Sequence, residues 1–344
     1  MKALIIHGER DLRIDDVDPS PLGPGQVRVR IRRGGICGSD LHYYRSGGIG
    51  EAIRLREPMI LGHEVSGEVS EIGAGVDGLA PGDLVAVSPS RPCRSCAFCL
   101  EGLPNHCLNM RFYGSAMPMP HVQGAFRQEL VADATQCVPA GDLTPAEAAM
   151  AEPLAVCLHG AHQAGDMVGK RVLITGSGPI GVLMTLVARR AGAAEIVVSD
   201  ILGKPLEFAT AAGADRAINT ITAPEALSAC QEGKGHFDVH FECSGAAVAL
   251  ADGIRAVRPR GIVVQLGMSG AVSIPLQQIT VKEISLRGSF RFHPEFATAV
   301  DLMRKRLIDV TALITHTFPF FDHAEAFAVA ADKGKSMKVQ FDFS

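Results

Sequence analysis

The chain has 344 residues, 47% of them hydrophobic and 20% charged, a usage typical of packed globular proteins and unlike disordered, collagenous or coiled-coil sequences. That length exceeds what one core usually fills, so a chain split into two domains is expected. A formal net charge of −4, with 33 Lys and Arg against 37 Asp and Glu, offers no basic face for nucleic acid or an anionic membrane, and a small-molecule partner is expected.

The apolar run near the N-terminus is four residues long, too short for the core of a secretory signal. The uncharged stretch 172–188 is broken by Gly176, Gly178, Pro179 and Gly181, a poor pattern for a membrane span. A cytoplasmic location is expected. From residue 1 to about 150, Gly and Pro recur every few residues around short apolar alternations such as QVRVRI (26–31) and DLVAV (83–87), which predicts a β-rich domain of short strands. Beyond residue 170 the rhythm becomes strand–helix: KRVLITG, then PIGVLMTLVARRAG, EIVVSD, KPLEFATAAG, AINT, APEALSACQ, HFDVHFECSG, a short helical stretch and GIVVQLGM. This alternation predicts a doubly wound parallel α/β sheet. After about residue 290 a helix, FHPEFATAVDLMRKR, and a final strand, MKVQFDF, are expected.

Three constellations carry chemistry. Cys37, His63, Glu64 and Glu152 are dispersed, but one thiolate, one imidazole and carboxylates suit a zinc ion with an exchangeable position. Spacing alone does not bring them together; singly they read as a small core residue, a turn histidine and solvated charges. Cys93, Cys96, Cys99 and Cys107 form CxxCxxCx7C, where two-residue gaps let one loop wrap a tetrahedral ion in a closed, structural shell. A redox relay is weaker, because such pairs normally stand alone beside a βαβ unit. The third is GSGPIG, residues 176–181, placed between a predicted strand and a predicted helix. Gly176 suits the tight turn, Gly178 the approach of a pyrophosphate and Gly181 close helix–strand packing, while the helix N-terminus favours the phosphates. Asp200 follows 19 residues after Gly181, at the end of the next predicted strand, where an acid accepts the adenosine ribose hydroxyls and repels a 2′-phosphate. NAD is therefore favoured over NADP, with Lys204 close enough to soften the preference.

With these residues in view, the whole chain resembles the zinc-dependent medium-chain dehydrogenases, in their sorbitol (polyol) dehydrogenase branch. The resemblance rests on GGICGSDLHYY, LGHEVSGEV, the four-cysteine lobe, AEPLAV, GSGPIG and LRGSFRF, with the run MRFYGSAMPMPHVQGAF (110–126) and the CVP and HQAG segments similar to sugar-acid oxidisers within that branch. It implies a GroES-like β-rich catalytic domain, residues 1–155 and 290–344, with a Rossmann cofactor domain, 156–289, inserted. It implies that Cys37, His63 and Glu64 surround a catalytic zinc, with Glu152 near the metal directly or through water, and that the clustered cysteines hold a structural zinc. Ser39 and His42 match the family's proton relay. Tyr43, Glu152, Arg291 and Phe292 fall where the branch contacts substrate, although sorbitol dehydrogenases usually carry tyrosine at the position of Phe292. Pro179, Ile180, Leu266, Gly267 and Met268 join the cofactor contacts. The implied reaction is hydride transfer between C5 of L-idonate and NAD(P), giving 5-ketogluconate, with sorbitol or xylitol as the alternative. Arg291 and Arg111 are the candidates for a substrate carboxylate, Arg111 reading equally well as a solvated surface residue. A homodimer or homotetramer is expected.

Overall fold

A computed structural model describes residues 1–268 and 270–344. The chain forms two compact units. The first comprises Met1–Glu152, Phe296–Asp332 and Lys338–Ser344; the second comprises Pro153–Glu295 and Lys333–Met337. The seams thus fall at 152/153 and 295/296 rather than at the expected 155/156 and 289/290, and a short stretch near the C-terminus groups with the inserted unit.

In the first unit, the strand Gln26–Gly35 is the hub of a seven-stranded sheet. Along it Val27, Val29 and Ile31 are buried while Arg28 and Arg30 face outward, the two-residue period of a half-buried strand. Each such buried aliphatic side chain contributes about 1.5–3 kcal/mol relative to exposure. Glu64–Ile72 pairs antiparallel along one edge of the hub. Glu129–Asp133 pairs with the first half of the other edge and Lys338–Asp342 with the end at Arg33–Gly35. The hub's C-terminal end, where the helix Gly38–Ser46 begins, is therefore flanked by Glu64 and by the last strand of the chain.

The second unit contains a six-stranded sheet, all parallel, in the order Arg216–Asn219, Glu195–Asp200, Arg171–Thr175, Phe237–Glu242, Val257–Gln265, Ser285–Gly288. The order reverses between Arg171–Thr175 and Phe237–Glu242, the switch point where ligands of such sheets bind. Strands buried on both faces read as apolar runs, and Leu173, Val197, Ile218, Phe237, Val257 and Val263 share one core. The expected helix over APEALSACQ is shorter, Pro224–Ser228, and continues as a 3-10 turn to Lys234, kinked where Gly233 is left-handed. The expected helix from Phe292 starts instead at Glu295, because Pro294 disfavours helical backbone at the residue before it. Among the described residues no helix is long and apolar enough to cross a membrane.

Candidate active site and metal centres

Cys37 is the N-cap of the helix Gly38–Ser46, and Asp40, three residues on, accepts its backbone N–H at 2.9 Å. The other Asp40 oxygen accepts the Gly62 N–H at 3.2 Å and lies 3.8 Å from His63 Nδ1. One fully buried carboxylate thus fixes the backbone on both sides of the cluster and lies near the His63 imidazole without a hydrogen bond to it. Glu64 opens its strand opposite Gly35. A Cβ on Gly35 would come within 2.2 Å of Glu64 Oε2, so only glycine leaves room for that carboxylate. Donor atoms of Cys37, His63 and Glu64 all lie within 4.8 Å of one another, near enough to close on one ion with bonds of about 2.0–2.3 Å after small side-chain shifts.

The last strand contributes a residue with no signal in the motifs. Lys338, itself buried, donates to both oxygens of Glu64 at 2.9 and 2.7 Å. Burial pushes its ammonium down, but Glu64 and Cys37 more than offset this and raise it. Burial, followed by the Glu64 charge, pushes the Cys37 thiol up to about 12. Burial likewise pushes Glu152 up to about 8, against the pull of His63. A pocket that disfavours a thiolate and carboxylates this strongly suits a divalent cation, whose charge inverts that preference. Glu152 is buried near the start of the helix Ala151–Ala164 and lies outside the three-donor group, although His63, Glu64 and Cys37 act on its charge.

Ser39 Oγ is 3.4 Å from His63 Nε2, and His42 is exposed one helical turn further along. Tyr43 takes a core place, 2% exposed, its hydroxyl accepting the Ala116 N–H at 3.0 Å. Arg111 is exposed on a two-residue strand paired with Ser90–Arg91. Phe112, beside it, lies with its ring 5.8 Å from that of His63. Sequence reasoning passed over Asp40, Lys338 and Phe112. An acid three residues after Cys37 is a capping signal that could have marked Asp40, and a lone lysine in the apolar run MKVQFDF could have marked Lys338.

In the second unit Gly176 is left-handed, with φ 86°, and a Cβ on Gly181 would lie 1.8 Å from the Gly176 carbonyl oxygen. Gly178 caps the helix Pro179–Arg190, which starts Pro179–Ile180–Gly181, and a Cβ there would meet nothing within 4 Å. Close packing and open space thus fall where a pyrophosphate cradle needs them. Asp200 accepts the Ser177 N–H at 2.6 Å and the Leu202 N–H at 2.9 Å, standing beside the glycine loop. Lys204 is engaged by Glu207 at 2.6 Å. Leu266 and Gly267 donate their N–H groups to the Glu242 carbonyl, and Met268 is exposed. Arg291 is left-handed, φ 56°, with its guanidinium 4.9 Å from the centre of the Phe290 ring, and Phe292 is 1% exposed. Both belong to the second unit, whereas the three-donor cluster belongs to the first.

The four sulfurs of Cys93, Cys96, Cys99 and Cys107 also lie within 4.8 Å of one another, Cys96 and Cys107 at 3.9 Å. Thiolates around one zinc with bonds of about 2.3 Å stand roughly 3.8 Å apart. Cys93 N–H and Asn109 N–H donate to Cys107 Sγ at 3.2 and 3.3 Å, and Leu108 N–H to Cys96 Sγ at 3.5 Å. Hydrogen bonds from Ser95 draw the Cys93 thiol down to about 5, whereas burial and the neighbouring sulfurs push Cys99 up to about 12, so only a cation would bring all four to thiolates. Ion, loop and donor set fit one another.

Oxidising an alcohol by hydride transfer requires a group that acidifies the hydroxyl and a cradle that presents a nicotinamide. The three-donor cluster and the glycine loop meet these two needs, which defines the class: a metal-dependent nicotinamide dehydrogenase. A family model described as the alcohol dehydrogenase GroES-like domain matches residues 23–142, and one described as zinc-binding dehydrogenase matches 179–305. The chain is 44% identical to L-idonate 5-dehydrogenase (NAD(P)(+)) of Escherichia coli K12 over 92% of its length and 91% of that protein. It is 34% identical to human sorbitol dehydrogenase, over 98% of this chain and 94% of that one. The crystal structure of the E. coli L-idonate 5-dehydrogenase superposes with a TM-score of 0.93 at 41% identity, covering 99% and 97% of the two chains. The chain belongs to the zinc-dependent medium-chain dehydrogenases, oxidoreductases acting on polyols and sugar acids.

Proposed function

We propose that this enzyme oxidises L-idonate at C5 to 5-ketogluconate, reversibly, with NAD as preferred acceptor and NADP as a second. One observation carries the reaction type: three donors of different chemistry, Cys37, His63 and Glu64, gathered within 4.8 Å with one tetrahedral position left over. The 44% identity to a protein named for L-idonate and NAD(P) supports the substrate and cofactor.

Cys37, His63 and Glu64 would hold a zinc ion, which when bound would supply a Lewis acid that makes a secondary alcohol easier to deprotonate. Asp40 ties Cys37 to Gly62, next to His63, and Lys338 holds Glu64 by both oxygens. Glu152, outside the three-donor group, would act on a bound zinc directly or through water. Ser39 takes the alcohol proton and His42, exposed, passes one to solvent. Tyr43, in this helix, and Phe292, in place of tyrosine, are the further candidates for substrate contact, both of them buried in this structure. Arg291 pairs with the substrate carboxylate through its planar fork, with Arg111 as the second candidate. The glycine loop binds the pyrophosphate and Asp200 the adenosine ribose. With Lys204 engaged by Glu207, Asp200 is the charge a 2′-phosphate would meet first, which favours NAD.

None of the nine cysteines is in a disulfide, which suits a reducing cytoplasm. The edge strand Ser285–Gly288 is exposed along its length, which supports a homodimer or homotetramer. A panel of L-idonate, sorbitol, xylitol and threonine with each nucleotide tests the activity. The highest kcat/KM is expected for L-idonate with NAD, and activity confined to neutral polyols would replace it with a polyol dehydrogenase.

A further inference from the structure

Helix Ala151–Ala164 turns two histidines onto one carboxylate. Nδ1 of His159 and Nδ1 of His162 lie 3.0 and 2.8 Å from Oε1 of Glu295, and Glu295 Oε2 accepts the His293 N–H at 2.9 Å. Glu295 is 3% exposed. Burial pushes its carboxyl up, yet the hydrogen bonds of His159, His293 and His162 hold it well below the usual range. An ionised carboxylate only accepts, so each histidine presents its Nδ1 proton. Gln163 Nε2, 3.4 Å from His159 Nε2, fits that tautomer. The hydride chemistry uses none of these groups, and all lie in the second unit.

Glu295 holds the loop that precedes it. In that loop Arg291 adopts the left-handed backbone, φ 56°, which a residue with a Cβ keeps only where its surroundings over-determine it. Phe292, buried, anchors one side of the turn, and the His293 N–H bonded to Glu295 fixes the other.

We propose that Glu295, gripped by His159 and His162, is a positioning residue for Arg291: it fixes the loop that aims the guanidinium, and so sets the affinity for a carboxylate-bearing substrate. This rests on the reading of Arg291 as the carboxylate partner.

The test is a double-mutant cycle of Glu295→Gln and Arg291→Ala in the zinc-loaded, full-length enzyme. Glutamine keeps the shape but places an NH2 group where an acceptor is needed, so the three donors cannot all be satisfied. Glu295→Gln should raise KM for L-idonate about tenfold, with kcat and the NADH dissociation constant within roughly twofold of wild type, and should add nothing in the Arg291→Ala background. His162→Ala, at the exposed rim of the cluster with 63% of its side chain accessible, removes one donor and should give a smaller rise; it carries the test if Glu295→Gln does not fold. A fall in kcat at constant KM, or additive effects in the double variant, overturns the proposal. If Arg291→Ala raises KM and Glu295→Gln does not, positioning alone fails. If Arg291→Ala leaves KM unchanged, the carboxylate reading fails and takes this inference with it.

Discussion

Ser39 and His42 sit one turn apart on the same helix, the first half-buried against His63 and the second exposed. Residues three apart share a helix face, so a proton can leave the buried site along that face without any backbone movement. Replacing His42 by alanine should slow turnover at pH 7 by about a hundredfold, the low end of what positioned acid–base groups supply. The deficit should shrink above pH 9, where hydroxide takes the proton directly. A loss of the same size at every pH would remove His42 from the relay. The pair comes from the resemblance carried by GGICGSDLHYY, and the helix Gly38–Ser46 keeps the two residues one turn apart. Asp40 was passed over in the same motif, although its carboxylate ties Cys37 to Gly62 and faces His63. Its role depends on a segment more than twenty residues away.

The four-cysteine lobe is an element with little core of its own: Phe98, Leu100, Leu103 and Leu108 are exposed, so the ion and the N–H bonds to sulfur must replace hydrophobic burial. Cys96→Ser should therefore reduce bound zinc from two ions per chain to one, as read by elemental analysis. Thermal stability should fall, while the remaining ion still supports turnover in the folded fraction. Retention of both ions, or loss of both, would break the assignment of one closed and one open centre. This element was readable from spacing, since its four donors lie within one short loop. The elements that carry Glu64 and Lys338 were not. Their meeting depends on antiparallel strands pairing at Gly35, with Lys338 entering from the opposite end of the sequence.

At the scale of the whole molecule, acid should unfold the second unit through a group that plays no part in catalysis. His240 is fully buried in the parallel sheet, its Nε2 2.9 Å from Thr175 Oγ1, and burial pushes its pKa from 6.5 down to about 3. The unfolded chain binds this proton below pH 6.5 and the folded chain does not. Its contribution to stability is therefore complete above pH 6.5 and is lost as pH falls toward 3, at up to about 1.4 kcal/mol per pH unit. Replacing His240 by leucine and Thr175 by valine together leaves no hydroxyl unpaired and should flatten the urea midpoint between pH 6.5 and 4 by that slope. An unchanged slope would show that other groups govern acid unfolding. The strand–helix rhythm, the glycine loop and the cysteine lobe could be read from the amino-acid order, because each is written in residues near one another, where backbone geometry fixes what they can do. That Cys37, His63 and Glu64 share one pocket follows from the folded chain alone. The tertiary structure alone set Lys338 and Asp40 against them, took Tyr43 into the core and gave Glu295 two histidine partners. Those relations arise from strand pairing and side-chain packing across long chain separations, which local spacing does not encode.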